Sequence, residues 1–184
     1  MQVKDMTFIS LSTAIMAVLG FFPPLFLPFT PVPITFQTLG VMLAGGVNKP
    51  RNAALSLIVF LLLVASGLPL LSGGRGGIGV FMGPSAGYLL AYPAAAFCIA
   101  WAVGKLKVLH FRNLFFIHLL FGVLLLYTAG VPVQAFLMQI PLTKAMKLCL
   151  VYVPGDLLKS AAAAFLVLRL RKALFKNRAS RNAA

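Results

Sequence analysis

Hydrophobic positions in this chain neither alternate nor fall on a single helical stripe. They come in long runs separated by short polar gaps or by glycine- and proline-rich stretches. Roughly 17–25 apolar residues are what an α-helix needs to cross a bilayer. On that measure helices are predicted over about residues 6–22, 33–47, 52–68, 84–104, 113–130 and 153–171. The second run is the shortest and opens in a proline-rich stretch. Residues 131–150, VPVQAFLMQIPLTKAMKLCL, are apolar but broken by prolines and two lysines, which fits a folded lid or an interfacial helix. The pattern predicts an all-α membrane protein: a six-transmembrane-helix bundle over 1–172, followed by a basic cytoplasmic tail over 173–184.

Composition agrees. The chain is 61% hydrophobic and 10% charged, too apolar for a soluble domain of 184 residues. The net charge of +14 could be mistaken for a nucleic-acid signature. Its distribution argues against that, because six basic residues fall in the last sixteen positions and most others sit in gaps between apolar runs, where they orient helices and meet anionic headgroups. With the N-terminus in the cytoplasm, Lys4, Lys49, Arg51, Lys105, Lys107, Arg112 and the six basic residues from Arg169 to Arg181 lie inside. Only Arg75, Lys144 and Lys147 lie outside. The positive-inside rule therefore prefers both termini cytoplasmic. No nucleic-acid partner is expected; the lipid bilayer is.

That topology puts three irregular segments on the same outer face: FFPPLFLPFTPVPITFQ (21–37), LLSGGRGGIGVFMGPSAGYL (70–89) and Pro154-Gly155-Asp156. Irregular backbone at membrane depth persists only where protein or a wet cavity satisfies it, so their convergence predicts a solute pocket. Asp156 is one of two acidic residues in the chain and stands three positions before Lys159, on one helical face. An ionisable pair inside an apolar span is costly and points to a binding site, or else to a buried ion pair that closes the bundle. Arg75, the one charge in the glycine-rich loop, is suited to a carboxylate, or to snorkelling towards headgroups. Gln37 and Tyr88 border the predicted pocket, and Phe36, Phe81 and Tyr92 are candidates for an apolar wall. The loop glycines, Gly77 among them, let backbone approach a ligand.

Other chemistry is poorly supplied. The loop has no Lys-Ser/Thr ending and no acidic magnesium partner, so it is not a nucleotide-binding loop. No Ser/His/Asp, Cys/His or paired-carboxylate set exists, and an enzyme is not expected. Cys98 and Cys149 have apolar neighbours, and His110 and His118 have no acidic ones, so neither a metal nor a cofactor is expected. In the first run Ser10, Ala14 and Ala17 make a small-residue face that permits close helix packing in lipid, with a partner subunit or within the chain.

Three motifs carry a family resemblance. PFTPVPITFQTLGVMLAG (28–45), GLPLLSGGRGGIGVFMGPSAGYLLAYPAAA (67–96) and VPGDLLKSAAA (153–163) resemble segments of the BioY family, with Ser85-Ala86 standing where Thr-Gly is usual. BioY proteins are the membrane-embedded, biotin-binding S components of energy-coupling-factor (ECF) transporters. The resemblance implies biotin captured from outside as transported ligand, and a bacterial cytoplasmic membrane location. It also implies partnership with an energising transmembrane subunit and two cytoplasmic ATPases. Asp156 and Lys159 would then meet the ureido ring and Arg75 or backbone donors the valerate carboxylate, while the Ala14 face would meet the energising subunit. An S component for another vitamin such as thiamin or riboflavin, a membrane enzyme acting on a lipid-linked substrate, and a membrane adaptor remain the rival readings.

Overall fold

The structure, a computed structural model, describes residues 2–27 and 30–181. Positions 28 and 29 of the first motif and 182–184 of the predicted tail lie outside the described residues. Among those described, the architecture is helical apart from one short hairpin. The helices are α1 (Val3–Gly20), α2 (Gln37–Val47), α3 (Pro50–Ala65), α4 (Ala86–Gly104), α5 (Phe111–Leu119), α6 (Leu125–Leu137), α7 (Leu142–Leu150) and α8 (Val153–Arg181). A π-helical turn, Leu120–Leu124, joins α5 to α6, and the whole reads as one 27-residue helix.

By length and hydropathy α1, α4 and the α5–α6 helix can each cross a bilayer, and the bent pair α7–α8 can be counted as a fourth span. The other two predicted runs coincide with α2 and α3, apolar helices of 11 and 16 residues. Large apolar side chains face outward on these helices, among them Leu62, Leu90, Phe97, Trp101, Phe116 and Leu158, as expected of surface solvated by lipid.

Several boundaries differ from the sequence prediction, and the sixth run, predicted to end at 171, continues as α8 to Arg181. The proline-rich start of the second run is not helical: β1 (Leu25–Leu27) and β2 (Thr30–Ile34) pair antiparallel there, Leu25 opposite Ile34 and Leu27 opposite Thr30. Proline cannot donate within a helix or a central strand but is accommodated at a sheet edge, and β2 has no second neighbour. The all-α expectation is corrected to that extent. The fifth run continues through Pro132 to Leu137, since a helix in lipid tolerates proline when neighbours cover the freed carbonyl. The third helix stops at Ala65, just before Gly67, which has φ 102°.

α4 is the centre of the bundle and packs against α2, α3 and α6, while α8 packs on α2 and α5. One core joins α1 to α4 around Met16, Val41, Leu57, Phe60, Ala95 and Ala96. A second joins α2, α4, α5 and α8 around Met42, Ile99, Leu114, Ala163, Ala164 and Val167. The alanines let helices approach closely, the main source of helix association where lipid is as apolar as leucine. The α2–α3 corner is set by Asn48, whose Nδ2 donates to Ser12 Oγ at 2.7 Å and to the Ala44 carbonyl at 2.9 Å. Pro50 at the first turn of α3 fits because no N–H is needed there.

Candidate functional site

The first turns of α8, α2 and α4 meet β2, the 67–85 loop and Tyr127 of α6 at one end of the bundle. Between them lies a cleft of about 70 Å³. Pro154 sits in the first turn of α8, where a missing N–H costs nothing, and Asp156 follows, near the positive end of the helix dipole. Asp156 and Lys159 point into the protein and are 5% and 9% exposed, whereas Leu157 and Leu158 between them face outward. α8 thus carries its polar face inward, as a charged pair in an otherwise apolar helix requires.

The pair is close and well held. Lys159 Nζ donates to Asp156 Oδ1 at 2.9 Å and to Thr38 Oγ1 at 3.2 Å. Tyr127 donates its phenolic proton to Asp156 Oδ2 at 2.5 Å. Each carboxylate oxygen therefore has one donor and keeps a lone pair, so the group can still accept from a ligand N–H. Ser160 Oγ donates to the Asp156 carbonyl at 2.8 Å and steadies the same turn.

Tyrosine is the residue type that marks the cleft. The chain has four tyrosines and sixteen phenylalanines. All four tyrosines, Tyr88, Tyr92, Tyr127 and Tyr152, line the cleft. A phenol gives an apolar face to a ring and a polar tip that must find a partner when buried. Tyr88 donates to Gln134 Oε1 at 2.9 Å and lies 3.1 Å from Cys149 Sγ. Tyr152 donates to the Val32 carbonyl at 2.9 Å and ties β2 to the start of α8. Gly130 makes the placement of Tyr88 possible: a Cβ at that position would collide with the Tyr88 ring.

Of the residues predicted from sequence, Asp156, Lys159, Arg75, Tyr88 and Gln37 come together around this cleft. Gln37 Nε2 donates to the Leu70 carbonyl at 3.3 Å and Arg75 Nε to the Ser72 carbonyl at 3.2 Å, so both also hold the loop in place. Gly77 is not among the lining residues. Its N–H donates to the Val64 carbonyl at 2.7 Å and its φ of 85° suits glycine, so it shapes the loop from behind. Of the proposed wall, Tyr92 lines the cleft, whereas Phe36 and Phe81 do not. Thr38, Tyr127 and Tyr152 were not singled out by sequence reasoning; the scarcity of tyrosine against phenylalanine was the available signal. Ser10 and Ala14 are exposed on α1 and Ala17 is half-buried against the core, all three along an apolar groove of about 530 Å³ shared with α3. Thr13 is used internally, donating to the Ser56 carbonyl at 2.9 Å.

These features define a helical membrane protein with a polar, tyrosine-lined cleft around a buried charged pair at one end of the bundle. Comparison with known proteins narrows the class. A profile of the BioY family matches residues 1–176. The chain is 57% identical over 174 residues to the probable biotin transporter BioY of Bacillus subtilis, covering 95% of this chain and 94% of that one. It is 40% identical over 174 residues to the biotin transporter BioY of Lactococcus lactis, covering 93% and 92%. Its structure resembles the 2.1 Å crystal structure of the S-component for biotin from an ECF-type ABC transporter, with a TM-score of 0.89, 39% identity and 92% of each chain covered. The chain belongs to the BioY family.

Proposed function

We propose that this protein is a biotin-binding, substrate-specificity subunit of an ECF-type uptake transporter, and that the cleft at Asp156 is where biotin binds. The observation that carries this reading is the Asp156–Lys159 pair, buried, 2.9 Å apart and open to a tyrosine-lined cleft. Biotin has a ureido ring with two N–H donors and a carbonyl, a thioether ring and a carboxylate tail. Asp156 accepts from the ureido N–H groups and Lys159 donates to the carbonyl. The tyrosine faces enclose the bicycle, and Arg75 takes the carboxylate, with Gln37 and Tyr88 bordering the ligand. Gly77 keeps the loop in the shape that presents Arg75.

A cleft of about 70 Å³ is small beside the roughly 300–1,000 Å³ of most ligand pockets, so biotin binding moves the β1–β2 hairpin or the 67–85 loop outward. The fuller assembly follows the same reading. Six spans cross a bacterial cytoplasmic membrane with both termini inside, and residues 173–184 form a basic tail. The Ser10, Ala14 and Ala17 face meets an energising transmembrane subunit, which works with two cytoplasmic ATPases.

Isothermal titration of the purified protein in detergent with biotin is the test, with thiamin and riboflavin as competitors. Stoichiometric binding unaffected by the competitors is expected. Folded protein that does not bind biotin overturns the assignment, and saturable binding of a competitor reassigns the solute.

A further inference from the structure

α7 is not accounted for by the solute cleft. It leaves the axis of α8 at 55° and is strongly amphipathic. Ala145 and Cys149 are buried against α6. Leu142, Met146 and Leu150, one helical turn apart, are 49%, 56% and 66% exposed. With Val131, Pro132 and Tyr127 of α6 they line an apolar groove of about 400 Å³. Lys144 and Lys147 stand exposed on the rest of the helix. No carboxylate occurs in the sequence between Asp5 and Asp156, and the ion pairs among the described residues engage those two acids with Lys49 and Lys159. Two ammonium groups on the helix that forms one wall of the apolar groove, outside the groove's own lining and in no ion pair among the described residues, match an anionic lipid in both its parts.

The groove also shares a wall with the cleft. Tyr127 lines both, and its phenol donates to Asp156. Cys149 lines the groove and lies 3.1 Å from the Tyr88 hydroxyl, on a ring that lines the cleft. We infer that the α6–α7 groove holds an acyl chain of an anionic phospholipid whose phosphate is held by Lys144 and Lys147, and that this chain supports the tyrosine wall and tightens solute binding. The lipid site stands on the groove and the lysines alone; the coupling rests on the proposed biotin function.

The test places the only tryptophan at the groove, as Met146→Trp in a Trp101→Phe background, with Leu150→Trp as a second position should the first fail to fold. The protein is reconstituted in nanodiscs containing brominated phosphatidylglycerol or brominated phosphatidylcholine, and quenching gives the relative affinity of the two lipids. A preference for phosphatidylglycerol of about fivefold per lysine is expected, falling towards parity in Lys144→Gln/Lys147→Gln. Equal quenching by the two lipids, or a preference that survives both glutamines, overturns the site. Biotin affinity is then measured in unbrominated discs of each lipid. Tighter binding with phosphatidylglycerol, lost in the double variant, is expected, and equal affinity overturns the coupling. Because quenching needs no solute, lipid preference without biotin binding would remove the proposed function and leave the lipid site standing.

Discussion

Asp156 concentrates the chemistry because both of its oxygens are already committed once and both can accept again. Replacing it with asparagine keeps the shape and one acceptor but removes the charge. A hydrogen bond to a charged group contributes roughly 1.5–3 kcal/mol, so Asp156→Asn is expected to lower biotin affinity roughly 10–150-fold, read by calorimetry. Folding should suffer less, because Lys159 keeps Thr38 as a partner at the edge of the cleft. Unchanged affinity would take Asp156 out of the site. Tyr127→Phe is a milder probe. It retains the ring and deletes only the donor that orients Oδ2, so affinity is expected to fall by less than in Asp156→Asn, read by the same calorimetry. The thermal unfolding midpoint of the same variant should also fall, because a hydrogen bond to a buried carboxylate contributes roughly 1.5–3 kcal/mol to the folded state.

At the scale of elements, the site depends on how α4, α6 and α8 are phased against one another. The π turn at Leu120–Leu124 adds residues to one turn of the α5–α6 helix and so resets which face follows it, Tyr127 included. Gly130, one turn further on, lets the Tyr88 ring lie against α6. Gly130→Ala overpacks that contact and is expected to cost roughly 1–3 kcal/mol, seen as a lower unfolding temperature in detergent, together with weaker biotin binding as Tyr88 shifts. Gly104→Ala is the matched control. An added Cβ there meets nothing within 4 Å, so the substitution should leave unfolding and binding intact or slightly stabilise the helix. Equal effects from the two would remove the special role of Gly130.

For the whole molecule, the tyrosine-lined cleft and the groove along α1 are separate, and substitutions should separate them too. A bulky residue at Ala14, as in Ala14→Trp, is expected to abolish biotin uptake by cells while leaving calorimetric affinity of the purified protein within about twofold, an exposed substitution usually changing stability by less than ~0.5 kcal/mol. Parallel loss of uptake and affinity would assign Ala14 to internal packing instead. Much of this organisation was legible in the chain itself. Long apolar runs, stranded basic residues and the Asp156–Lys159 spacing are local properties, and they identify membrane helices and an ionisable face whatever the packing. Motif spacing carried the family. Other features are written in no single segment. A proline-rich stretch reads as the start of an apolar run until pairing with Leu25–Leu27 makes it a strand. Gly77 reads as part of a ligand-facing loop until its N–H is seen spent on Val64. A tyrosine in an apolar helix does not declare which way it faces, because that depends on helix phase and on which neighbour leaves room. The sequence alone therefore determined that this is a membrane protein with one buried charged pair. Only the tertiary structure decided that Thr38, Tyr127 and Tyr152 complete its surroundings, because hydropathy is a sum over neighbours in the chain whereas a site is a meeting of residues far apart in it.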